Sequence, residues 1–114
     1  MSDFIYLYRG INISTLSPEE MQKNMEKWVA WFKDLGATGH LKDPGNPLEP
    51  TGKVIKGKQK VITDGPYAEV KDVVGGYTVV EARDLTHALE LSKDCPILDD
   101  GGSVEVRPVQ AFQL

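Results

Sequence analysis

The chain has 114 residues, 40% of them hydrophobic and 26% charged, with a net charge of −4. That is the make-up of one soluble globular domain, and an acidic balance without any basic run argues against phosphate-backbone binding as the main activity. No apolar run approaches the roughly 18 residues of a membrane span, and the start, "MSDFIYLYRG", lacks the basic leader of a signal peptide.

In chain order, the first predicted element is the strand "DFIYLYR", Asp3 to Arg9. Phe4, Tyr6 and Tyr8 point to one side and Ile5 and Leu7 to the other, so both faces are apolar and the strand is expected to be central. A helix follows with complete start signals: Ser17 as N-cap, Pro18 at the first helical position, and Glu20 closing a capping box. Met21, Met25, Trp28, Phe32 and Leu35 form one apolar stripe, Glu19 and Lys23 can pair on the outer side, and Gly36 is the expected stop. Trp28 and Trp31 read as core and interface residues.

"ATGHLKD", Ala37 to Asp43, reads as a short strand, and "PGNPLEPTG" from Pro44 as a loop, because three prolines cannot all serve a ladder. "KVIKGKQKVIT", Lys53 to Thr63, alternates weakly about Gly57 and predicts a lysine-rich exposed hairpin. "GGYTVVEA", Gly75 to Ala82, is a second central strand. Asp84 caps a shorter helix, "LTHALELSKDC", which Pro96 ends; "DDGG" is a loop and "SVEVRPV" the last strand.

A single domain over 1–114 with this order can build the α+β split βαβ layout, ferredoxin-like, with both helices on one sheet face. The other face would then stay bare although its strands are apolar, and an open patch of several hundred Å² is as large as a monomer usually tolerates. A twofold homodimer is the expected remedy.

Asp64 heads the residues that could carry chemistry. Asp64-Gly65-Pro66 is sufficient as a turn, yet Tyr67 and Glu69 follow at once, which a mere reversal does not require. In the functional reading Asp64 stands at the mouth of a cleft between helices and sheet as a general acid or base, with Tyr67 as wall and donor and Glu69 as polar support. In the plain reading the carboxylate holds the turn. Gly75 and Gly76 allow close backbone approach but are too short for a phosphate loop.

Glu81, Glu105 and Arg107 interrupt apolar strands and are expected either to be paired in a cavity or to lie on a solvated edge. His40 is the better histidine for proton transfer, although no orienting partner stands near it in sequence. His87 reads as exposed. Two histidines and one cysteine, all far apart, give no metal-site spacing, and no cofactor is expected. Cys95, the only cysteine, excludes an internal disulfide, is expected to be packed, and fits a reducing compartment. A cytoplasmic location is therefore expected.

The run "TDGPYAEVKDVVGGYTVVEARDLTHALELSKDCP" with the later "GGSVEVRPV" resembles the DGPF-domain branch of the YCII-related proteins. The resemblance extends upstream to the "W-x-x-x-L-x-x-x-G-H-L" pattern of Trp31 to Leu41 and the "L-x-P-x-G" of Leu48 to Gly52, with Tyr67 where Phe is usual. It implies a dimeric α+β barrel. Most members of that branch lack an assigned reaction, and some are companions of alternative sigma factors. The wider group includes a dehalogenase-type enzyme acting on a chlorinated lactone, for which a His-Asp pair is proposed. Asp64 matches that aspartate, whereas the histidine falls near the start of the first helix, where this chain has Met21 and Lys23. Two functions thus stand side by side: a small-molecule site, substrate-binding through Tyr67, Glu69, Gly76, Glu81 and Arg107 with Asp64 and His40 as catalytic candidates; or a non-catalytic dimeric module for a protein partner such as a sigma-type transcription factor.

Overall fold

The computed structural model describes residues 1–10, 16–65 and 72–112. They form β1 (Ser2–Arg9), α1 (Pro18–Ala37), β2 (Leu41–Asp43), β3 (Gly52–Lys56), β4 (Val61–Gly65), β5 (Val74–Ala82), α2 (Leu85–Ser92), a 3₁₀ turn (Pro96–Leu98) and β6 (Ser103–Pro108). The main sheet has the order β2-β5-β1-β6 and every pairing in it is antiparallel. This is a mixed α+β domain whose strand order is consistent with the ferredoxin-like layout; β3 and β4 form a separate two-stranded hairpin.

Alternation in the two central strands builds the core. Phe4, Tyr6 and Tyr8 of β1 and Thr78, Val80 and Ala82 of β5 are buried on one face, where register sets Phe4 opposite Val80 and Tyr6 opposite Thr78. Trp31 and Leu35 of α1, Ala88 of α2, Cys95 and Ile97 complete the same cluster, so both helices cover that face. Burying a side chain such as Val80 or Ile97 contributes about 1.5–3 kcal/mol. The polar atoms in the cluster are satisfied: the Tyr6 hydroxyl donates to the Ala88 carbonyl at 2.5 Å and the Trp31 indole N–H to the Leu91 carbonyl at 3.2 Å. Those two bonds tie α2 to the sheet and to α1.

The opposite face is half-covered. Ile5, Leu7, Tyr77 and Val79 lie at its centre, each partly exposed. Charged pairs frame them: Arg9 with Glu105 at 2.6 Å, and Lys42 with Asp3 at 2.6 Å.

Helix α1 begins as its sequence predicts. Ser17 accepts from the Glu20 amide at 3.1 Å, and the Glu20 carboxylate accepts from the Ser17 amide at 3.4 Å. Its end differs from the expectation: the helix runs through Gly36 to Ala37 and is capped at Thr38, whose hydroxyl donates to the Asp34 carbonyl at 3.0 Å. Glycine is tolerated in a last turn at a cost of about 1 kcal/mol, and the positive φ of 77° that reverses the chain falls at Gly39 instead. The strand expected from Ala37 therefore shortens to Leu41–Asp43. Likewise α2 stops at Ser92, before Pro96, which opens the 3₁₀ turn.

Candidate functional site

A cavity of about 250 Å³ opens between α1 and the adjoining end of the sheet. One side is a single stripe of α1: Met21, Asn24, Met25, Trp28 and Phe32, at the three- and four-residue spacings that share a helix face. The two ends of α1 meet different surroundings. Trp31 and Leu35, near its C-terminal end, are buried in the core; Met21 and Met25, nearer the N-terminus, remain 43% and 63% exposed because the cavity, not packed protein, lies against them. Tyr8 forms part of the floor with Gly75, Gly76 and Tyr77, and residues 44–47 make the far wall.

That far wall is set by local chemistry. The Asp43 carboxylate accepts from the Gly45 amide at 2.8 Å, turning the chain. Gly45 has φ +68°, and a Cβ there would sit 1.8 Å from the Tyr77 carbonyl oxygen. Only glycine passes so close to β5. Downstream, Pro47 bridges to Gly76 and the Leu48 amide donates to the Gly75 carbonyl at 2.8 Å. Gly76 is tight as well, since a Cβ would meet the Asn46 carbonyl oxygen at 3.3 Å.

Beneath the cavity the Tyr8 hydroxyl donates to Thr78 Oγ1 at 2.7 Å, and Thr78 in turn donates to the Pro44 carbonyl at 2.9 Å. Burial pushes the Tyr8 phenol well above its ordinary range, so it stays protonated and serves as a fixed strut. Trp28 stands edge-on to Tyr8, ring centroids 5.0 Å apart, and leans on Phe32 at 5.8 Å. Among the described residues the lining is aromatic and thioether, with Asn24 and Asn46 as its polar side chains other than the tyrosine hydroxyls, and it holds no carboxylate, histidine, lysine or arginine. Such a surface can bind and orient an apolar molecule.

The residues singled out in the sequence disperse over the molecule. Gly76 lines the cavity. Asp64 does not: it sits on β4 in the separate hairpin, its side chain 87% exposed and paired with Lys53 across the strands. That carboxylate is solvated and ion-paired, and it is not part of the cavity lining. Tyr67 and Glu69 lie outside the described residues. Glu81 and Arg107 belong to the half-covered sheet face, which is the side away from the helices. Trp28, expected in core or interface, is the cavity's largest wall residue; the helical stripe pointed to its face but not to what lay opposite.

His40 stands at the other end of β5, where the Glu81 amide donates to its carbonyl at 2.8 Å. Its Nδ1–H donates to the Glu81 carbonyl at 2.9 Å. The orienting partner that sequence could not supply is therefore backbone, and the neighbour is His87. The two rings meet edge to face with centroids 4.8 Å apart, so the reading of His87 as merely exposed is corrected. His87 Nδ1 accepts from the Arg83 amide at 3.1 Å, which requires a neutral ring with its proton on Nε2. Desolvation, then the Arg83 guanidinium and the His40 ring, hold His87 below its usual range despite Asp84.

A lowered folded-state value means that the unfolded chain takes up the proton first as pH falls, so stability drops below about pH 6.5 and until the folded value is passed. Wild type is thus expected to lose melting temperature between neutral pH and pH 5 more steeply than His87→Asn, which retains an acceptor without titrating. Parallel curves for the two proteins would contradict the assignment. Among the described residues no group of three or more His, Cys, Asp or Glu is placed to hold a metal ion, and no helix is long and apolar enough to cross a membrane.

Fold and cavity together define a small α+β domain with an apolar site under its first helix. The YCII-related domain model matches residues 6–113, and the chain belongs to that family. An uncharacterized protein of Rhizobium meliloti (strain 1021) is 28% identical over 105 residues, spanning 88% of this chain and 84% of its own. Among solved structures, the chain is similar to the 5-chloro-2-hydroxyhydroquinone dehydrochlorinase of Burkholderia phenoliruptrix AC1100 in complex with 2,5-dihydroxybenzoquinone. The identity there is 15%, with 98% of this chain and 96% of that chain covered and a TM-score of 0.49.

Proposed function

We propose that this protein is a small-molecule-binding domain whose site is the cavity under α1. The carrying observation is the N-terminal half of the α1 stripe, where Met21, Met25 and Trp28 stand over open space although their residue types are those of a core. An aromatic and thioether lining adapts to a flat apolar guest. The cavity replaces the Asp-Gly-Pro-Tyr turn as the centre of the site, and Asp64 is left without a catalytic role in this reading. The sequence Asp64-Gly65-Pro66-Tyr67 still supports membership of the DGPF branch.

The test is calorimetric titration with indole, a neutral two-ring probe, on three proteins. Wild type and Asp64→Asn bind alike, whereas Trp28→Ala weakens binding at least tenfold, about 1.4 kcal/mol. Binding lost in Asp64→Asn and retained in Trp28→Ala would return the site to the turn. Silence in all three proteins would favour a module for a protein partner.

We also propose that the protein works as a homodimer joined through the half-covered sheet face. Ile5, Leu7, Tyr77 and Val79 make an apolar centre framed by paired charges, as interfaces commonly are. Ile55 and Ile62, paired across the separate hairpin and 63% and 65% exposed, are further apolar surface for a second copy to cover. Sedimentation at micromolar concentration should give twice the chain mass in wild type and the chain mass in Leu7→Glu. A wild-type monomer would rule the dimer out. Cys95 is buried with its thiol pushed up to about 12, chiefly by desolvation; an inert free thiol suits a reducing compartment, and we place the protein in the cytoplasm.

A further inference from the structure

We infer that the cavity selects an uncharged, flat two-ring compound carrying a hydrogen-bond donor, and that Asn24 is the group that reads the donor. This rests on the binding reading above and narrows it to a ligand class. Three features of the site lead there.

The first is size. An apolar cavity of ~150 Å³ is enough for a single benzene ring, so the roughly 250 Å³ here accepts a fused pair. The second is charge. A charged guest would have to leave water for walls of Trp28, Phe32, Met21, Met25 and Tyr8, which among the described residues carry no counter-charge. Desolvating an unpaired ion costs several kcal/mol, whereas a neutral ring system loses nothing comparable and gains ring contacts with Trp28 and Tyr8.

The third is the orientation of one amide. Asn24 lies on the α1 stripe between Met21 and Trp28, and its Nδ2 donates to the Asp100 carboxylate at 2.8 Å. Asp100 follows the 3₁₀ turn, and its amide donates to the Ile97 carbonyl at 3.2 Å, which fixes its backbone at the end of that turn. An ionised carboxylate can only accept, so it fixes which end of the amide is nitrogen. The side-chain oxygen of Asn24 then remains as an acceptor, and among the described residues nothing donates to it. Asn46, on the far wall, has no such clamp among the described residues. The ligand's polar group is therefore a donor, an N–H or O–H, directed at Asn24 Oδ1. Asp100 is a positioning residue: it touches no ligand and acts only through the amide.

Indole, benzofuran and indole carboxylate test this by calorimetry. Indole and benzofuran have nearly the same shape, but benzofuran has an oxygen where indole has its N–H; the carboxylate adds the charge. Wild type is expected to bind indole at least about threefold more tightly than benzofuran, the lower range for one neutral hydrogen bond, and indole carboxylate more weakly than either. Asn24→Leu should abolish the preference, bringing the indole-to-benzofuran ratio to about one. Asp100→Leu releases the amide to present either end and should bring the indole-to-benzofuran ratio toward one, which a merely structural role for Asp100 would not do. Both substitutions are at partly or fully exposed positions, and unchanged melting curves establish that the variants fold.

Equal binding of indole and benzofuran by wild type overturns the donor assignment. A retained preference in Asn24→Leu overturns the choice of residue. Tighter binding of indole carboxylate overturns the neutral class. Absence of all three bindings removes the ligand site itself, and so separates failure of the general reading from failure of its refinement.

Discussion

Trp31→Ala is expected to lower the free energy of unfolding by about 3–5 kcal/mol, the range for deleting a buried indole. The reasons are several and local. Trp31 is 5% exposed, stacks on Tyr6 with centroids 6.0 Å apart, and leans on Trp28 and Phe32. Its N–H satisfies the Leu91 carbonyl, so truncation also removes a link between the two helices. A domain of this size has ~5–15 kcal/mol in total, which makes the variant marginal at room temperature. Trp31→Phe separates the contributions: it retains most of the ring packing and should lose about 1–2 kcal/mol for the hydrogen bond and the lost area. Urea denaturation measures both. A loss under about 1 kcal/mol for Trp31→Ala would mean that α1 is not seated on the sheet through this residue.

Gly45→Ala is the second large effect, and it comes from one added methyl group. A Cβ at Gly45 would lie 1.8 Å from the Tyr77 carbonyl oxygen and 2.9 Å from the Tyr77 ring, and neither the backbone of a central strand nor its neighbour can retreat. The loop must lift from β5, breaking the Thr78 bond to Pro44 and removing the far wall of the cavity. We expect a loss of at least ~2–3 kcal/mol together with loss of indole binding. Gly39→Ala is the control. Its φ is +77°, equally left-handed, but a Cβ there meets nothing within 4 Å. That variant should lose only the conformational cost of ~1 kcal/mol and keep the ligand. Similar losses for the two variants would show that the close crossing at Tyr77 carries no weight.

The contrast between these glycines indicates what was readable from the sequence. Local signals were legible: Ser17 and Glu20 form the capping box that their spacing implies, and the alternation in "FIYLY" and "YTVVEA" gives the central strands their faces. The ferredoxin-like layout that the element order suggested is consistent with the observed order β2-β5-β1-β6, in which no two neighbours are consecutive in the chain. Long-range crossings were not legible. Nothing near Gly45 in the chain announces Tyr77, thirty-two positions away, and nothing near His40 announces His87. The apolar stripe of α1 looked uniform, but its two ends meet different surroundings: Leu35 and the nearby Trp31 are buried in the core, whereas Trp28, partly buried against that core, also faces the cavity. Asp64 drew notice because its turn carried more chemistry than a turn needs. In space the hairpin pairs it with Lys53, away from the aromatic lining.

The sharpest test of the cavity as the binding site is a nitrogen–proton correlation spectrum recorded while indole is added. Two indole side chains are present, Trp28 and Trp31, and one substitution assigns them. The predicted result is a saturable shift of the Trp28 side-chain N–H and the Gly75 and Gly76 amides, with the Lys53 to Asp64 hairpin amides unmoved. Shifts confined to the hairpin, or to His40 and His87, with Trp28 unchanged would contradict it.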